Sequence, residues 1–360
     1  MYTPTEFIIR RCAESLQAGY RQIYSVQKPE YADLIEWVAT TALEAIATSD
    51  ALYHNVEHTI LVAEVGQEIL RGKQRREGDV TCHEWLTFMI ALLCHDIGYV
   101  KGVCQQDCPA ERIFATGVDD AVIILSPGTT DASLTPYHVD RSKRFVLENF
   151  SHHPLIDVAA IVQQIELTRF PVPDAPEYRQ MGNYAGLARA ADLIGQLSDP
   201  RYLDKLPALF YEFEEVGTTQ ALGYNHPADL RASYPKFFRH VVSPYLVDGI
   251  RYLGMTRQGR HILANLYANV VQVEREQKAA SVETAHANPV LEDSRLDVSP
   301  ATSTSFGIPT DQPTSPRLFW GEFDTETTSN PLGVWADAPG RPLSPGDRPL
   351  GMPYFVPKQL

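Results

Sequence analysis

Five residues of types that bind metals occur in an ordered series along this 360-residue chain. His54 and His58 stand four positions apart in YHNVEH, a spacing that places both imidazoles on one face of a helix. His95 and Asp96 end the apolar run WLTFMIALLCHD, and at the end of a helix both side chains can converge on one ion. Asp192 lies in ARAADLIGQL, which has the pattern of another apolar helix face.

This series predicts a centre for one or two divalent metal ions. Imidazole nitrogens combined with carboxylate oxygens suit Zn²⁺, Mn²⁺ or Fe, with Mg²⁺ as a further candidate. A carboxylate such as Asp96 can bridge two ions, and a bound ion lowers the pKa of its water to about 7. Lys101, in the loop just after HDIGY, is a candidate clamp for a substrate phosphate. No Walker loop, GxSxG elbow or GxGxxG turn suggests a competing chemistry.

Helical periodicity predicts an all-α fold for the region from about residue 5 to 280. Apolar residues recur at helical spacing in ten segments: 5–26, 30–49, 57–72, 82–96, 139–150, 155–169, 184–198, 201–216, 234–253 and 256–278. Residues 116–125 form the only β-branched run, which is compatible with either a strand or a helix. Residues 1–50 are expected to form N-terminal helices that pack on a domain spanning residues 51–280.

The composition changes at about residue 285. Residues 285–360 contain 12 of the 26 prolines, many serines and threonines, and no helical periodicity. Such a segment cannot bury enough apolar surface to offset its ordering entropy, so a disordered tail is predicted. Its aromatic residues leave open a short docking motif for a protein partner.

Charge and cysteine content limit the partners. The formal net charge of −14 disfavours nucleic acid and anionic membranes, so phosphates would be bound by a metal or a confined cationic pocket. No apolar run approaches the roughly 20 residues that a membrane span needs. Five cysteines and no secretory signal favour a reduced, cytoplasmic setting and a small phosphorylated substrate.

These motifs resemble those of the HD-domain superfamily, and within it the class I cyclic nucleotide phosphodiesterases. YHNVEH resembles the YHNxxH motif of that family, CHD resembles its HD pair, and AADLIGQLSDP is similar to the segment with its last metal-binding aspartate. Glu212-Phe213 followed by Gly217 resembles EFxxxG, and Phe237 with Pro244 keeps the spacing of FxxxxxxP. The resemblance covers about residues 50–255.

The resemblance implies a PDEase-like helical bundle and a role for each matched position. The tighter metal would be bound by His58, His95, Asp96 and Asp192, with Asp96 bridging to a second ion. His54 would be the general acid that protonates the leaving ribose oxygen. Glu148, in VLENFSHH, would orient His54 or a metal-bound water.

Two positions depart from the family pattern. Tyr99 stands where the family has a histidine that supports the metal-bound waters, and His138, His152 or His153 could substitute for it. Tyr234 stands where the family has the glutamine that grips the purine. Tyr234 is therefore a substrate-contact candidate, and the substrate need not be cAMP or cGMP.

The sequence leaves three functions open. The first is hydrolysis of a phosphodiester, either a cyclic nucleotide or a related compound. The second is a nucleotide phosphomonohydrolase or nucleotidase, because HD domains host all these reactions. The third is a non-catalytic, metal-bound helical scaffold whose tail binds a partner. His54 favours the first, because an alkoxide leaving group needs a proton donor.

Overall fold

Helices make up most of the chain between residues 3 and 287, the part that this computed structural model describes. They are α1 Pro4–Tyr24, α2 Pro29–Ile46, α3 Val56–Glu77, α4 Cys82–Cys94, α5 His138–Phe150, α6 Val158–Glu166, α7 Tyr184–Leu197, α8 Tyr202–Glu215, α9 Thr218–Leu222, α10 Pro227–Phe237, α11 Val247–Leu253 and α12 Arg257–Ala287. Two short strands, β1 Ile113–Ala115 and β2 Val122–Ile124, pair in antiparallel orientation. The predicted all-α class is confirmed for these residues.

The start of α3 separates the two histidines of YHNVEH. The side chain of Asn55 accepts the backbone N–H groups of Glu57 and His58 at 3.0 and 3.4 Å, so Asn55 caps a helix that begins at Val56. His58 is therefore in the first turn of α3, whereas His54 precedes the helix. The prediction that both imidazoles share a helix face was wrong, because the capping asparagine lies between them.

The core is built around α4, whose residues from Trp85 to Cys94 are all buried. A capping box of Thr81 and Glu84 starts this helix, which contacts α2, α3, α6 and α7. The crossing of α3 and α7 is close because Gly195 faces the backbone of Val62, where an added Cβ would come within 2.8 Å of Cα. The N-terminal helices α1 and α2 contribute to the same hydrophobic cluster.

The segment between α4 and α5 holds the hairpin. Ile113 pairs with Ile124 and Ala115 with Val122, so the β-branched run at 116–125 supplies a strand only over its second half. Arg141 of α5 is fully buried and fastens the hairpin to the loop after Asp96. Its guanidinium donates to both carboxylate oxygens of Asp107 and to the carbonyl oxygens of Gly98, Val100 and Ala115.

The single helix predicted over 234–253 is broken in the structure. Helix α10 ends at Phe237, a π-helical turn covers Phe238–Val242, a 3-10 turn covers Ser243–Tyr245, and α11 begins at Val247. Pro244 explains the break, because proline lacks the backbone N–H and its ring clashes with the preceding turn of an α-helix. The apolar residues keep their helical spacing through the break, so the sequence predicted one continuous helix.

The predicted disordered tail lies almost entirely outside the described residues. Only residues 285–287 overlap with them, and these form the end of α12. Among the helices that the structure describes, none is both long enough and apolar enough to cross a membrane.

Gly98→Ala is expected to destabilise the protein. A Cβ at Gly98 would lie 1.9 Å from the carbonyl oxygen of His138 and 2.7 Å from the amide nitrogen of Ser142, both backbone atoms of α5. Overpacking of this kind costs about 1–3 kcal/mol, which corresponds to a drop in melting temperature of several degrees. Gly254→Ala is the matched control, because its Cβ would meet nothing closer than 3.5 Å. Equal melting temperatures for the two variants would contradict this close approach.

Candidate metal centre

Three helices bring four side chains to one buried point. His58 comes from the first turn of α3, and His95 occupies the C-terminal cap of α4 with Asp96 next to it. Asp192 lies within α7, which crosses α3 closely at Gly195. His58, His95 and Asp96 are 4%, 1% and 6% exposed, so their polar atoms are largely removed from water.

The ring of His95 has a fixed orientation. Its Nδ1 lies 2.7 Å from the carbonyl oxygen of Leu92, and a carbonyl only accepts, so Nδ1 carries a proton. In the neutral ring Nε2 then presents its lone pair to Asp96 Oδ2 at 3.2 Å and to Asp192 Oδ1 at 3.5 Å. His58 Nε2 lies 3.2 and 3.4 Å from the same two oxygens.

This arrangement fits a divalent ion. His58 Nε2, His95 Nε2 and Asp96 Oδ2 are buried and have no hydrogen-bond partner. Their separations exceed the roughly 2.7–2.9 Å of charge-assisted N–H···O bonds. Atoms that each lie about 2.1 Å from a shared ion are about 2.9–3.4 Å apart in octahedral or tetrahedral geometry. His58, His95 and Asp192 together can present one ligand atom each to a single ion.

The electrostatics of the cluster favour a positive charge at its centre. Burial alone lowers the pKa of His95, but Asp96 and Asp192 outweigh it and raise that pKa well above its ordinary value. Burial alone raises the pKa of Asp96, but His95 and His58 hold it well below its ordinary value. The carboxylates therefore remain ionised and draw a cation, either a proton or a metal, to the imidazoles.

His54 lies beside this cluster and is held by Glu212. The ring centroids of His54 and His58 are 5.5 Å apart. His54 Nδ1 donates to Glu212 Oε2 at 2.5 Å, while Glu212 Oε1 accepts the backbone N–H groups of Tyr53 and His54 at 2.6 and 3.2 Å. Burial lowers the pKa of His54, but the Glu212 carboxylate more than compensates and raises it. Nε2 remains available to exchange a proton with a ligand.

The structure gives Glu148 partners other than His54. Glu148 Oε1 accepts from Arg144 Nε at 2.8 Å, and its Oε2 accepts the backbone N–H of Gln105 at 2.9 Å. Glu212 is the carboxylate that orients His54. Glu212 belongs to the EFxxxG-like stretch. That motif was the feature of the sequence that could have identified Glu212 as a site residue, although the motif alone assigned no role to it.

Tyr99 does not reproduce the histidine that it replaces. Its ring is stacked between His54 and His138, with centroid distances of 4.6 and 4.5 Å, and its hydroxyl is hydrogen-bonded to the side chain of Thr135. His138 Nε2 lies 3.8 Å from Asp96 Oδ1. Of the three histidines considered as substitutes, His138 is the one next to Asp96.

The other two histidines lie elsewhere on the molecule. His152 is exposed, and His153 stacks on Trp37 with a centroid distance of 6.4 Å.

The two substrate-contact candidates both make contacts within the protein. Lys101 Nζ donates to the carbonyl oxygen of Thr129 at 2.6 Å and lies 3.4 Å from Asp131 Oδ1, so its charge is paired with a carboxylate further along the segment between α4 and α5. Tyr234 is only 2% exposed, and its ring packs against Tyr202 with a centroid distance of 5.0 Å. Tyr234 lies in the hydrophobic core, and a substrate contact by either residue stays a prediction.

Comparison with known proteins places the chain in a family. Residues 2–276 match the Npun_R2479-like family, and the chain belongs to it. The match begins two residues before α1 and ends within α12, so it includes every residue of the centre. No curated protein matches the chain.

Proposed function

We propose that this member of the Npun_R2479-like family is an HD-type, metal-dependent phosphohydrolase that cleaves a phosphodiester. The observation that carries the proposal is the position of the His54–Glu212 pair beside the cluster of His58, His95, Asp96 and Asp192. A metal-ligand set alone is compatible with a structural ion. The partly exposed His54, paired with the buried Glu212 next to it, adds a group that can move a proton.

Each residue then has a task that follows from its contacts. His58, His95, Asp96 and Asp192 would hold a divalent ion. When bound, such an ion supplies a nucleophile from water at neutral pH and neutralises charge on the phosphate. Glu212 fixes the ring of His54 through Nδ1, so that Nε2 can hold a proton for the leaving group. Burial of the site keeps these interactions strong, because the local dielectric is low.

A proton donor at this place favours a diester over a monoester. A diester releases an alkoxide, which is a poor leaving group unless it is protonated as the bond to phosphorus breaks. The resemblance of YHNVEH, CHD and EFEEVG to class I phosphodiesterase motifs supports the same assignment. Tyr234 stands where class I phosphodiesterases have the glutamine that grips the purine, and its ring is buried. The proposal therefore does not specify cAMP or cGMP as the substrate.

Glu212→Gln is expected to slow hydrolysis of a diester that has an alkoxide leaving group by about 10²-fold. The amide still fills the space and can accept the backbone N–H groups, but it no longer favours a protonated His54. The loss should be much smaller with an aryl leaving group, because nitrophenolate departs without a proton. Glu214→Gln is the matched control, since Glu214 is exposed on the same helix. Unchanged rates on the alkyl diester would contradict the assignment of Glu212.

The substrate class is tested by a hydrolysis screen of metal-loaded protein. The panel comprises cyclic nucleotides, dinucleotides, nucleoside mono- and triphosphates, and aryl phosphodiesters. We expect turnover of diesters and little turnover of monoesters. Preferential release of inorganic phosphate from nucleotides would establish a phosphomonohydrolase instead. No turnover of any compound by metal-loaded protein would favour a scaffold with a structural ion.

A further inference from the structure

Four exposed arginines lie at the end of the molecule where α3 ends and α12 begins. They are Arg75, Arg76, Arg257 and Arg260, and none of them forms an ion pair with the described residues. Arg75 Nη1 donates to the carbonyl oxygen of Met255 at 3.3 Å and Arg260 Nη1 to that of Gly254 at 3.2 Å, so both guanidiniums lie at the turn between α11 and α12. We call this group the arginine surface. It concentrates positive charge on a chain whose formal net charge is −14.

The carboxylates of the neighbouring turns are already paired with other cations. The pairs are Glu68 with Arg71, Glu77 and Asp79 with Lys73, and Asp248 with Arg251. These carboxylates are therefore not available to the four arginines. An anionic partner can bind the arginine surface without first breaking an ion pair within the described part of the chain.

The arginine surface is carried on tightly packed backbone but does not stabilise the start of α12. A Cβ at Gly72 would lie 2.0 Å from the carbonyl oxygen of Tyr252, and one at Gly259 would lie 2.1 Å from that of Leu253, so α3 and α12 both press against the end of α11. The first turn of α12 begins with Arg257 and contains no acidic residue, although the positive end of a helix dipole favours carboxylates. Binding of an anion explains arginines at this place better than helix stability does.

The C-terminal part of the sequence contains a stretch of complementary chemistry. Residues 319–326, FWGEFDTE, combine three aromatic rings with three carboxylates and include no lysine or arginine. A guanidinium can bind a carboxylate through two parallel N–H···O bonds, and it also stacks on aromatic rings. Arginines therefore suit both the acidic and the aromatic residues of this stretch.

The length of the chain allows residues 319–326 to reach the arginine surface. Helix α12 has 31 residues, so its two ends are about 46 Å apart. The acidic stretch at 292–297 ends ten residues beyond α12, and ten extended residues span at most about 36 Å. Residue 319 is 32 residues beyond α12, which allows a span of about 105 Å. The nearer acidic stretch cannot return to the start of α12, whereas residues 319–326 can.

We propose that residues 319–326 of the same chain dock on the arginine surface, with their carboxylates bound to the guanidiniums and their rings stacked on them. Arg75 is 17 residues after His58 on α3, which places the arginine surface about 26 Å from the metal-ligand cluster. Docking therefore holds the C-terminal part of the chain at the far end of the molecule and leaves the centre open to a substrate. The proposal does not depend on the proposed function.

The proposal is tested by fluorescence anisotropy with a labelled peptide of residues 317–328 and full-length protein. The receptor is the variant Glu322→Lys/Asp324→Lys/Glu326→Lys, whose own segment no longer competes, and it is expected to bind the peptide. The wild type should bind the peptide at least about 10-fold more weakly, because its own segment occupies the surface at a high effective concentration.

The arginine surface is tested by adding Arg75→Glu/Arg257→Glu to this receptor. Peptide binding should weaken by about 10-fold or more, because like charges then face each other. Lys236→Glu is the matched control, since Lys236 is an exposed cation of α10 that forms no ion pair with the described residues. It should leave the affinity for the peptide unchanged.

Equal affinity of the wild type and the receptor for the peptide would overturn docking within one chain. Equal affinity with and without Arg75→Glu/Arg257→Glu would overturn the arginine surface as the docking site. If the double variant melts more than a few degrees lower, Arg257→Glu alone replaces it, because Arg257 has no side-chain partner among the described residues. Binding of single-stranded RNA to the receptor, without binding of the peptide, would also overturn the proposal.

Discussion

Asp192→Ala should release the tightly bound ion and lower phosphodiester hydrolysis on the order of 10³-fold or more, because the ion supplies several kcal/mol of stabilisation. Asp192 Oδ1 lies 3.4 and 3.5 Å from the two imidazole nitrogens, so its loss removes one of four ligands and half of the negative charge. His58→Ala, His95→Ala and Asp96→Ala should behave alike. Elemental analysis of each purified variant, together with its hydrolysis rate, provides the measurement.

The matched control is Asp204→Ala, which removes an exposed carboxylate from the first turn of α8. It should retain both the ion and the rate of the wild type. Full metal retention in two or more of the four ligand variants would show that the cluster does not bind the ion. Loss of metal in the control as well would indicate general instability rather than ligand removal.

His54→Ala is expected to leave the metal content unchanged and to slow hydrolysis of an alkyl phosphodiester by about 10²–10⁴-fold, the usual contribution of general acid catalysis. The variant removes the imidazole held by Glu212 but none of the four metal ligands. With a p-nitrophenyl diester the loss should be small, because the leaving group needs no proton. Parallel rates on the two substrates, with a metal count for each sample, provide the measurement.

Other roles for His54 would give different patterns. A fifth metal ligand would lose metal and would slow both substrates alike. A packing residue would lower the melting temperature but leave turnover per folded molecule nearly unchanged. Equal losses on both substrates with the metal retained would contradict the general-acid role. The Glu212→Gln variant should also lose more rate on the alkyl diester than on the p-nitrophenyl diester, but by a smaller factor than His54→Ala. Both substitutions impair the same proton transfer.

The sequence predicted the helices and site residues that can be recognised from a short stretch of neighbouring residues. Helix α4 was visible from its apolar run, and the three helices that carry the ligands were found by periodicity. His58, His95, Asp96 and Asp192 were singled out because metal-binding residue types in apolar helices are costly without a partner. Because His95 and Asp96 are adjacent at the end of α4, their convergence could also be anticipated.

Features that depend on tertiary contacts were not predicted. Glu212 is 158 positions from His54, and only the approach of α8 to the loop before α3 pairs them. The short hairpin has too few residues for its alternation to be distinguished from helical periodicity. The stacking of Tyr99 between two histidines, and the resulting proximity of His138 to Asp96, depend on how Gly98 and Arg141 fasten α5 to the loop.

The central claim is that the buried cluster holds a divalent ion and uses it to cleave a phosphodiester. The most direct test is the rate of bis(p-nitrophenyl) phosphate hydrolysis by one preparation, measured before chelation, after chelation, and after return of one equivalent of Zn²⁺ or Mn²⁺. We expect hydrolysis to disappear when the ion is removed and to return when it is restored, and we expect that Asp192→Ala does not regain it. A rate that is unaffected by removal of the ion, or no hydrolysis when the ion is bound, would contradict the account.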